Sequence, residues 1–319
     1  MDARPVAQRQ KSRAVLKILI VRFSAIGDCV MAGYAVNDLR VAYPDAEITW
    51  VVEDRCAEIV ASPSLVQRRL DLPRSEWRKR GELPTLFAQY RWLTGLRRFG
   101  FDYGFDLQGH SKTAWCLRLS GAKKRLSVGG TDALARRLNP IFSSPGFEDA
   151  HSVERSRQVI SSVLPIEPVS SDFLPGPSVA RNPKLVTICV GAGHPLKVVP
   201  ADTLAGVGVE LLEDGREVVY LGGPDDQFEA PPGSTNLVGK TTIEESINWI
   251  RQSGVHIAGD TGTGHIAAAV GTPLVTIWGN MPLNRFRPFA ENVTILNRDG
   301  IPGMVTHFEI TNAAIERAG

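Results

Sequence analysis

The chain has 319 residues, 43% hydrophobic and 22% charged, a composition that excludes a disordered or fibrous protein and allows two domains of ordinary size. No apolar run approaches the roughly 18–20 residues that cross a bilayer, and four scattered cysteines without a C-x-x-C pair suggest neither a zinc site nor a disulfide framework, so a reducing cytoplasm is expected. The net charge of +2 hides an asymmetry: residues 1–160 carry 26 Lys and Arg against 17 Asp and Glu, whereas residues 161–319 carry 10 against 17.

A basic first half points to an anionic partner there, whether nucleic acid, a membrane surface or a phosphorylated acceptor; a solvated charged face also fits. Residues 1–13 are polar and basic and are expected to be disordered. Residues 15–21, V-L-K-I-L-I-V, read as a first strand and not as a signal peptide, because Lys17 and Arg22 interrupt the run and no cleavage site follows. The exit R-F-S-A-I-G-D (22–28) leads into a helix expected to about residue 41, and residues 48–52 predict the next strand. Such alternation is the pattern of a parallel, doubly wound sheet, whose working residues sit at the carboxyl ends of strands. Ser24, Gly27 and Asp28 occupy that place, although Asp28 would also serve as an acid in a first helical turn.

From 67 to 99 the chain is expected to be irregular and is very basic (Arg68, Arg69, Arg74, Arg78, Lys79, Arg80, Arg91, Arg97, Arg98), with Trp77 and Trp92 interleaved. Aromatic rings among arginines suit single-stranded nucleic acid, but no nucleic-acid module signature accompanies them. Residues 101–109 predict another strand and its exit, and residues 148–164 a helix closing this half. The proline- and serine-containing stretch 169–183 has no periodicity and reads as a linker.

Residues 185–190 restart the pattern with a buried strand, followed by G-A-G-H-P-L-K (191–197). A helix over 204–212, a strand over 217–221 with exit turn G-G-P-D-D, and a helix capped by Thr241 or Thr242 come next. The most informative stretch is 254–279. A short apolar strand breaks at G-D-T-G-T-G (259–264), an alanine-rich helix follows over 265–270, and a second strand runs over 274–278. Free backbone N–H groups and the positive end of a helix dipole then face one point, which makes an anion site. An ordinary strand-to-helix turn, with Thr261 or Thr263 as N-cap, is the alternative. A helix N-terminus disfavours a buried imidazolium, so His265 is expected as a neutral ring suited to hydrogen bonding with a ligand. Residues 308–319 predict one last short helix.

The run D-T-G-T-G-H-I-A-A-A-V-G-T-P-L-V-T-I-W-G resembles the signature of the glycosyltransferase family 9 heptosyltransferases, which build the inner core of lipopolysaccharide from ADP-heptose. S-A-I-G-D (24–28) resembles the same family's S-x-x-G-D, and N-L-V-G-K-T (236–241) its N-L-x-G-K-T. The likeness spans about residues 15–290. It implies an α/β protein of two Rossmann-like domains facing across a cleft, a GT-B type glycosyltransferase fold. Residues 1–168 would bind the acceptor, 169–183 would be a semi-rigid hinge, and 184–319 would bind the nucleotide sugar.

The resemblance implies Asp28 as catalytic base, with Ser24 and Gly27 beside it on the substrate. E-W-R-K-R (76–80) is similar to a basic acceptor loop of the heptosyltransferase that adds the first heptose, so Arg78 and Lys79 would meet carboxylates and phosphates of a Kdo–lipid A acceptor. Residues 101–118 resemble the family's Y-D-x-x-x-D-x-Q-G-x-x-K-S-A and add Gln108, Lys112 and Arg118 to that side; loop capping by Asp106 and Gln108 stays open. For the donor, the resemblance implies Gly191 and Ala192, Lys197, Gly222, and the loop Asp260, Thr261, Gly262, Thr263 and His265. No resident cofactor or metal is expected, and ADP-heptose is the donor substrate. The implied partner is an anionic lipid-linked sugar at the inner membrane surface, not nucleic acid. The expected location is the cytoplasm, with attachment at the cytoplasmic face of that membrane left open.

Two departures stand out. Val198 and Val199 replace a usual tryptophan, and N-M-P-L-N (280–284) replaces a Pro-Thr-Asp-Pro turn, which leaves room for another nucleotide sugar. The leading expectation, from the resemblance, is an inverting, metal-independent glycosyltransferase; the lack of a D-x-D pair at the cleft loops argues against a metal-bound diphosphate. A non-catalytic binder of an anionic polymer or membrane is the rival from another class. An NAD enzyme is disfavoured, because no G-x-G-x-x-G follows the first strand.

Overall fold

The computed structural model describes residues 15–79, 82–130, 132–170 and 172–318, the side chains of Ser75 and Arg78 aside. Residues 1–13 and Arg80 of the expectations above lie outside the described residues. Ile18, Leu19, Ile20 and Val21 are fully buried, so the first apolar run forms β1 (Lys17–Val21), covered on both faces as a central parallel strand must be. There follow α1 (Ile26–Ala42), β2 (Glu47–Glu53), β3 (Arg68–Leu72), α2 (Arg74–Arg78), α3 (Glu82–Gly95), β4 (Tyr103–Asp106), α4 (Ser111–Leu119), β5 (Lys124–Ser127), α5 (Ala133–Leu138) and α6 (Ser152–Ser161). The strands form one parallel sheet in the order β3-β2-β1-β4-β5.

The second half contains β6 (Asn182–Cys189), α7 (Ala201–Glu213), β7 (Glu217–Leu221), β8 (Thr235–Asn236), α8 (Ile243–Gln252), β9 (Ser253–Gly259), α9 (Gly262–Ala269), β10 (Leu274–Ile277), α10 (Leu283–Phe286), β11 (Val293–Leu296) and α11 (His307–Ala318). Its parallel sheet runs β11-β10-β9-β6-β7-β8. Each sheet reverses its strand order once, between β1 and β4 in the first and between β6 and β9 in the second. A crevice opens at the carboxyl ends of the strands at such a point. The exits of these four strands carry Arg22–Asp28, Asp106–Gln108, Gly191–Lys197 and Asp260–His265.

The basic stretch 67–99 is not irregular. Arg68–Leu72 pairs with β2 as an edge strand, and its outward Arg69 and Asp71 join through two hydrogen bonds of 2.7 and 2.9 Å. The charges that hide the strand in the sequence are its solvent face. Trp77 and Trp92 are not ligand platforms either. Their rings pack edge to face at 6.3 Å in a core with Leu96, Phe101 and Leu117.

The stretch 169–183 is tied down over part of its length, and its last two residues already belong to β6. Phe173 and Leu174 are buried, and Phe173 meets the Tyr34 ring edge to face at 5.1 Å. Arg251 bonds Asp172 at 2.7 Å and the carbonyls of Leu174 and Pro175. One apolar core runs through both halves, joining Val30, Val36 and Trp50 to Ile247, Ile266, Ala267 and Val270. The seam is α1 against α9. A Cβ on Gly262 would stand 2.6 Å from Ile26 Cγ2, so the helix N-termini touch where both carry glycine.

Candidate active site

At the exit of β1, Arg22 reaches back with Nη1 to the Leu107 carbonyl (2.5 Å) and places Nη2 2.6 Å from Asp28 Oδ2. The same Asp28 oxygen accepts from the Ala25 N–H at 3.2 Å. Asp28 is therefore an acid of the first helical turn, and its side chain is still one-third exposed, at 33%. Both contacts fall on Oδ2, which leaves Oδ1 for a ligand. Burial works to raise the Asp28 pKa, but the Arg22 guanidinium and the Ala25 N–H outweigh it and hold the carboxyl below its ordinary value. Asp28 is thus ionised at neutral pH and able to accept a proton.

At the exit of β4, buried Asp106 caps its loop, accepting from the N–H groups of Gln108 (3.0 Å) and Gly109 (2.9 Å) and from Thr113 Oγ1 (3.1 Å). Burial pushes its pKa up to about 6. Gln108 spends Oε1 on the Phe23 N–H at 2.9 Å, bracing the β1 exit. The loop-capping reading of this pair is realised, and Gln108 also lines the cleft.

Across the seam, β9 ends at Gly259, Asp260 follows it, and α9 starts at Gly262. Lys197 Nζ lies 2.8 Å from Asp260 Oδ2, an ion contact off the hydrogen-bond angle, so that buried oxygen keeps an unspent acceptor site. Thr261 and Thr263 bond each other through their hydroxyls at 3.1 Å, and Thr261 makes no side-chain cap. The first N–H groups of α9 thus keep their capacity for an anion. His265 is buried against Gly27, and burial lowers its pKa to about 4 despite Asp28 and Asp260 nearby. It is a neutral imidazole at neutral pH.

Both halves line a cleft of about 830 Å³. Of the expected residues, Gly27, Asp28, Gln108, Lys197, Asp260, Thr261, Gly262 and His265 line it. Ser24, Gly191, Ala192, Gly222, Thr263, Lys79, Lys112 and Arg118 are not among its walls, and the Arg78 side chain lies outside the described residues. Gly191 and Gly222 make room for Asp226, which accepts the Gly223 N–H at 2.7 Å. Gly193 and His194 form the wall instead. Lys112 and Arg118 are exposed along α4.

The cleft also holds Arg136, Arg155 and Arg285, which strand-exit reasoning does not reach because they come from helices. Five lining cations (Arg22, Arg136, Arg155, Lys197, Arg285) face three carboxylates (Asp28, Glu148, Asp260). Each carboxylate pairs with one cation: Asp28 with Arg22, Asp260 with Lys197, Glu148 with Arg155. The surplus charge sits at Arg136, bonded to the Gly130 carbonyl, and at Arg285, stacked over Phe286 at 5.1 Å. The Nε atoms of Arg155 and Arg285 are buried without a hydrogen-bond partner among the described residues. An anion entering this corner meets unspent donors.

The sequence profile of glycosyltransferase family 9 (heptosyltransferase) matches residues 90–304. The chain belongs to this family. Among family 9 relatives, lipopolysaccharide heptosyltransferase 1 of Pseudomonas aeruginosa is 26% identical over 284 residues, covering 83% of this chain and 79% of the relative. Escherichia coli heptosyltransferase WaaC with ADP superposes with a TM-score of 0.78 at 20% identity, over 95% of this chain and 100% of that one. WaaC with ADP-2-deoxy-2-fluoro heptose gives 0.77 at 20% identity, over 94% and 99%. The protein is a glycosyltransferase of GT-B type fold, with two parallel α/β sheets across a cleft.

Proposed function

We propose that this family 9 enzyme moves heptose from ADP-heptose to an anionic, lipid-linked inner-core sugar, with inversion and without a metal. The observation that carries the reading is the α1–α9 seam, which sets Asp28 of one half and the Lys197–His265 anion loop of the other on one cleft. The diphosphate belongs at the N-terminus of α9 with Lys197; WaaC, of like fold, is solved with ADP and with a fluorinated ADP-heptose. Asp28 takes the proton of the acceptor hydroxyl as its oxygen attacks the anomeric carbon. The bond from that carbon to the diphosphate breaks on the opposite face, and ADP leaves with the electron pair. One carboxylate and one displacement produce inversion.

In this reading residues 1–168 hold the acceptor, 169–183 connect, and 184–319 hold the donor. The acceptor's anionic groups belong at Arg136, Arg155 and Arg285. A glycosyl-transfer assay with ADP-heptose and a Kdo-containing acceptor, run with and without chelator and read for anomeric configuration by NMR, tests each element. No ADP release, or a product of retained configuration, would refute it.

A second reading keeps the fold and changes the sugar. It is favoured by Met281, which lines the cleft from the departing segment 280–284, and by Val198, which is exposed and outside the cleft wall where the family has tryptophan. Calorimetry with ADP, GDP and UDP separates the two readings.

A further inference from the structure

We propose that the outer face of α3 docks the protein on an anionic membrane surface. Helix α3 carries apolar residues on two faces. Its inner face, Ala88, Trp92 and Leu93, packs against the core around Trp77 and Phe101. Its outer face carries Leu83, Leu86, Phe87 and Tyr90, which are 79%, 61%, 69% and 59% exposed. These four stand at i, i+3, i+4 and i+7 and fall on one stripe of about 100°. The inner stripe already serves folding, so the outer one has no partner within the described chain. Scattered apolar side chains on a surface are ordinary, whereas a contiguous stripe marks an interaction site.

Charge decides the occupant. Exposed Lys79 precedes the helix, exposed Arg91 lies on it, and exposed Arg97 and Arg98 follow it, against exposed Glu76 before it and Glu82 at its start. An apolar stripe rimmed by basic residues is the pattern of a helix lying in the headgroup plane of an anionic bilayer, its apolar side chains reaching roughly 5–10 Å into the boundary. No helix among the described residues is long and apolar enough to cross a membrane, so attachment of this kind is to the surface. The choice of a lipid surface over a second copy of the chain also rests on the reading above that the acceptor is lipid-linked.

Cosedimentation with vesicles of phosphatidylglycerol and phosphatidylcholine in equal parts tests the proposal. Wild type is expected to bind them, to bind phosphatidylcholine alone far less, and to lose binding as salt rises. The double variant Leu86→Ser with Phe87→Ser should weaken binding at least about tenfold. Phe308→Ser, an equally exposed change on α11, should leave it unaltered. With a deacylated, water-soluble acceptor the double variant should match wild-type turnover, and with the vesicle-embedded acceptor it should fall behind. Vesicle binding without transfer to either acceptor would sink the proposed reaction and leave the docking face standing. Wild-type binding by the double variant, or an α3-dependent dimer that ignores vesicles, would overturn the docking face.

Discussion

A Cβ placed on Gly27 would stand 2.5 Å from Cδ2 of His265. The glycine lies in the first turn of α1 and the histidine in the first turn of α9, so the backbone of one half is the floor for the imidazole of the other. The glycine of S-A-I-G-D therefore has a steric reason, and so does the proximity of Asp28 to the anion loop.

Gly27→Ala should lower stability by about 1–3 kcal/mol, the usual cost of overpacking. Helix propensity acts the other way by about 1 kcal/mol, so a net loss would belong to the contact. Turnover should fall more than ADP affinity, because the donor site stays whole while its approach to Asp28 is spoiled. Urea unfolding together with steady-state kinetics reads both. Wild-type turnover by folded Gly27→Ala would mean the seam is not needed for transfer.

Asp28→Asn should leave ADP binding nearly intact and reduce turnover by about 10²–10⁴, the common share of general-base catalysis. Asp28 acts ionised, so kcat/KM should fall as pH drops through its folded pKa, which lies below the ordinary 3.8. Arg22→Gln removes the guanidinium 2.6 Å from the carboxylate, so that acid limb should move to higher pH. An unmoved limb in Arg22→Gln would show that another group controls it.

Strand exits were the legible part of this molecule. Asp28, Lys197 and the Asp260–His265 loop follow apolar runs that only a buried parallel strand explains, and glycine marks the close approaches. Other parts left no such trace. The strand Arg68–Leu72 lies at a sheet edge, where outward charges replace the apolar pattern. Arg136, Arg155 and Arg285 sit on short or polar helices whose sequence is that of any solvated helix; only the folded cleft brings them together. Gly191 and Gly222 carried the right residue type for a ligand loop, yet the space they leave is filled by Asp226.

Two histidines should make the fold acid-sensitive above the ordinary carboxylate range, outweighing Asp106, whose pKa of about 6 works the other way below about pH 6. Burial lowers His265 to about 4 and His256 to about 3, from an ordinary 6.5, and His256 Nδ1 shares a 2.9 Å hydrogen bond with Thr187 Oγ1. Below about pH 6.5 the unfolded chain takes up a proton on each ring while the folded chain does not. Their contribution is therefore complete above that pH and is lost progressively, down to about pH 4 for His265 and about pH 3 for His256, their folded pKa values. Each ring adds a slope of about 1.4 kcal/mol per pH unit. Urea midpoints between about pH 7 and 5 should show the decline, and His256→Gln should remove one ring's share. A flat profile over that interval would contradict the buried, neutral assignment.

Arg285 should matter to the acceptor more than the basic residues singled out by motif. It reaches the cleft from α10 with a buried Nε and no carboxylate partner among the described residues, opposite Arg155 of α6, whose guanidinium it repels. An anionic acceptor group between them would relieve that repulsion and supply the missing hydrogen bonds. Arg285→Ala should therefore raise the acceptor KM roughly ten- to hundredfold, the worth of a charge-assisted hydrogen bond of about 1.5–3 kcal/mol, with ADP affinity unchanged. Lys79 and Arg118 are exposed and away from the cleft wall, so Lys79→Ala and Arg118→Ala should change that KM no more than about fivefold, and less as salt rises. Acceptor KM values for the three variants with a deacylated, water-soluble acceptor, at low and high salt, decide the matter. A large effect at Lys79 or Arg118 with none at Arg285 would put the acceptor on the outer surface of the first half and leave the cationic corner of the cleft without a role in transfer.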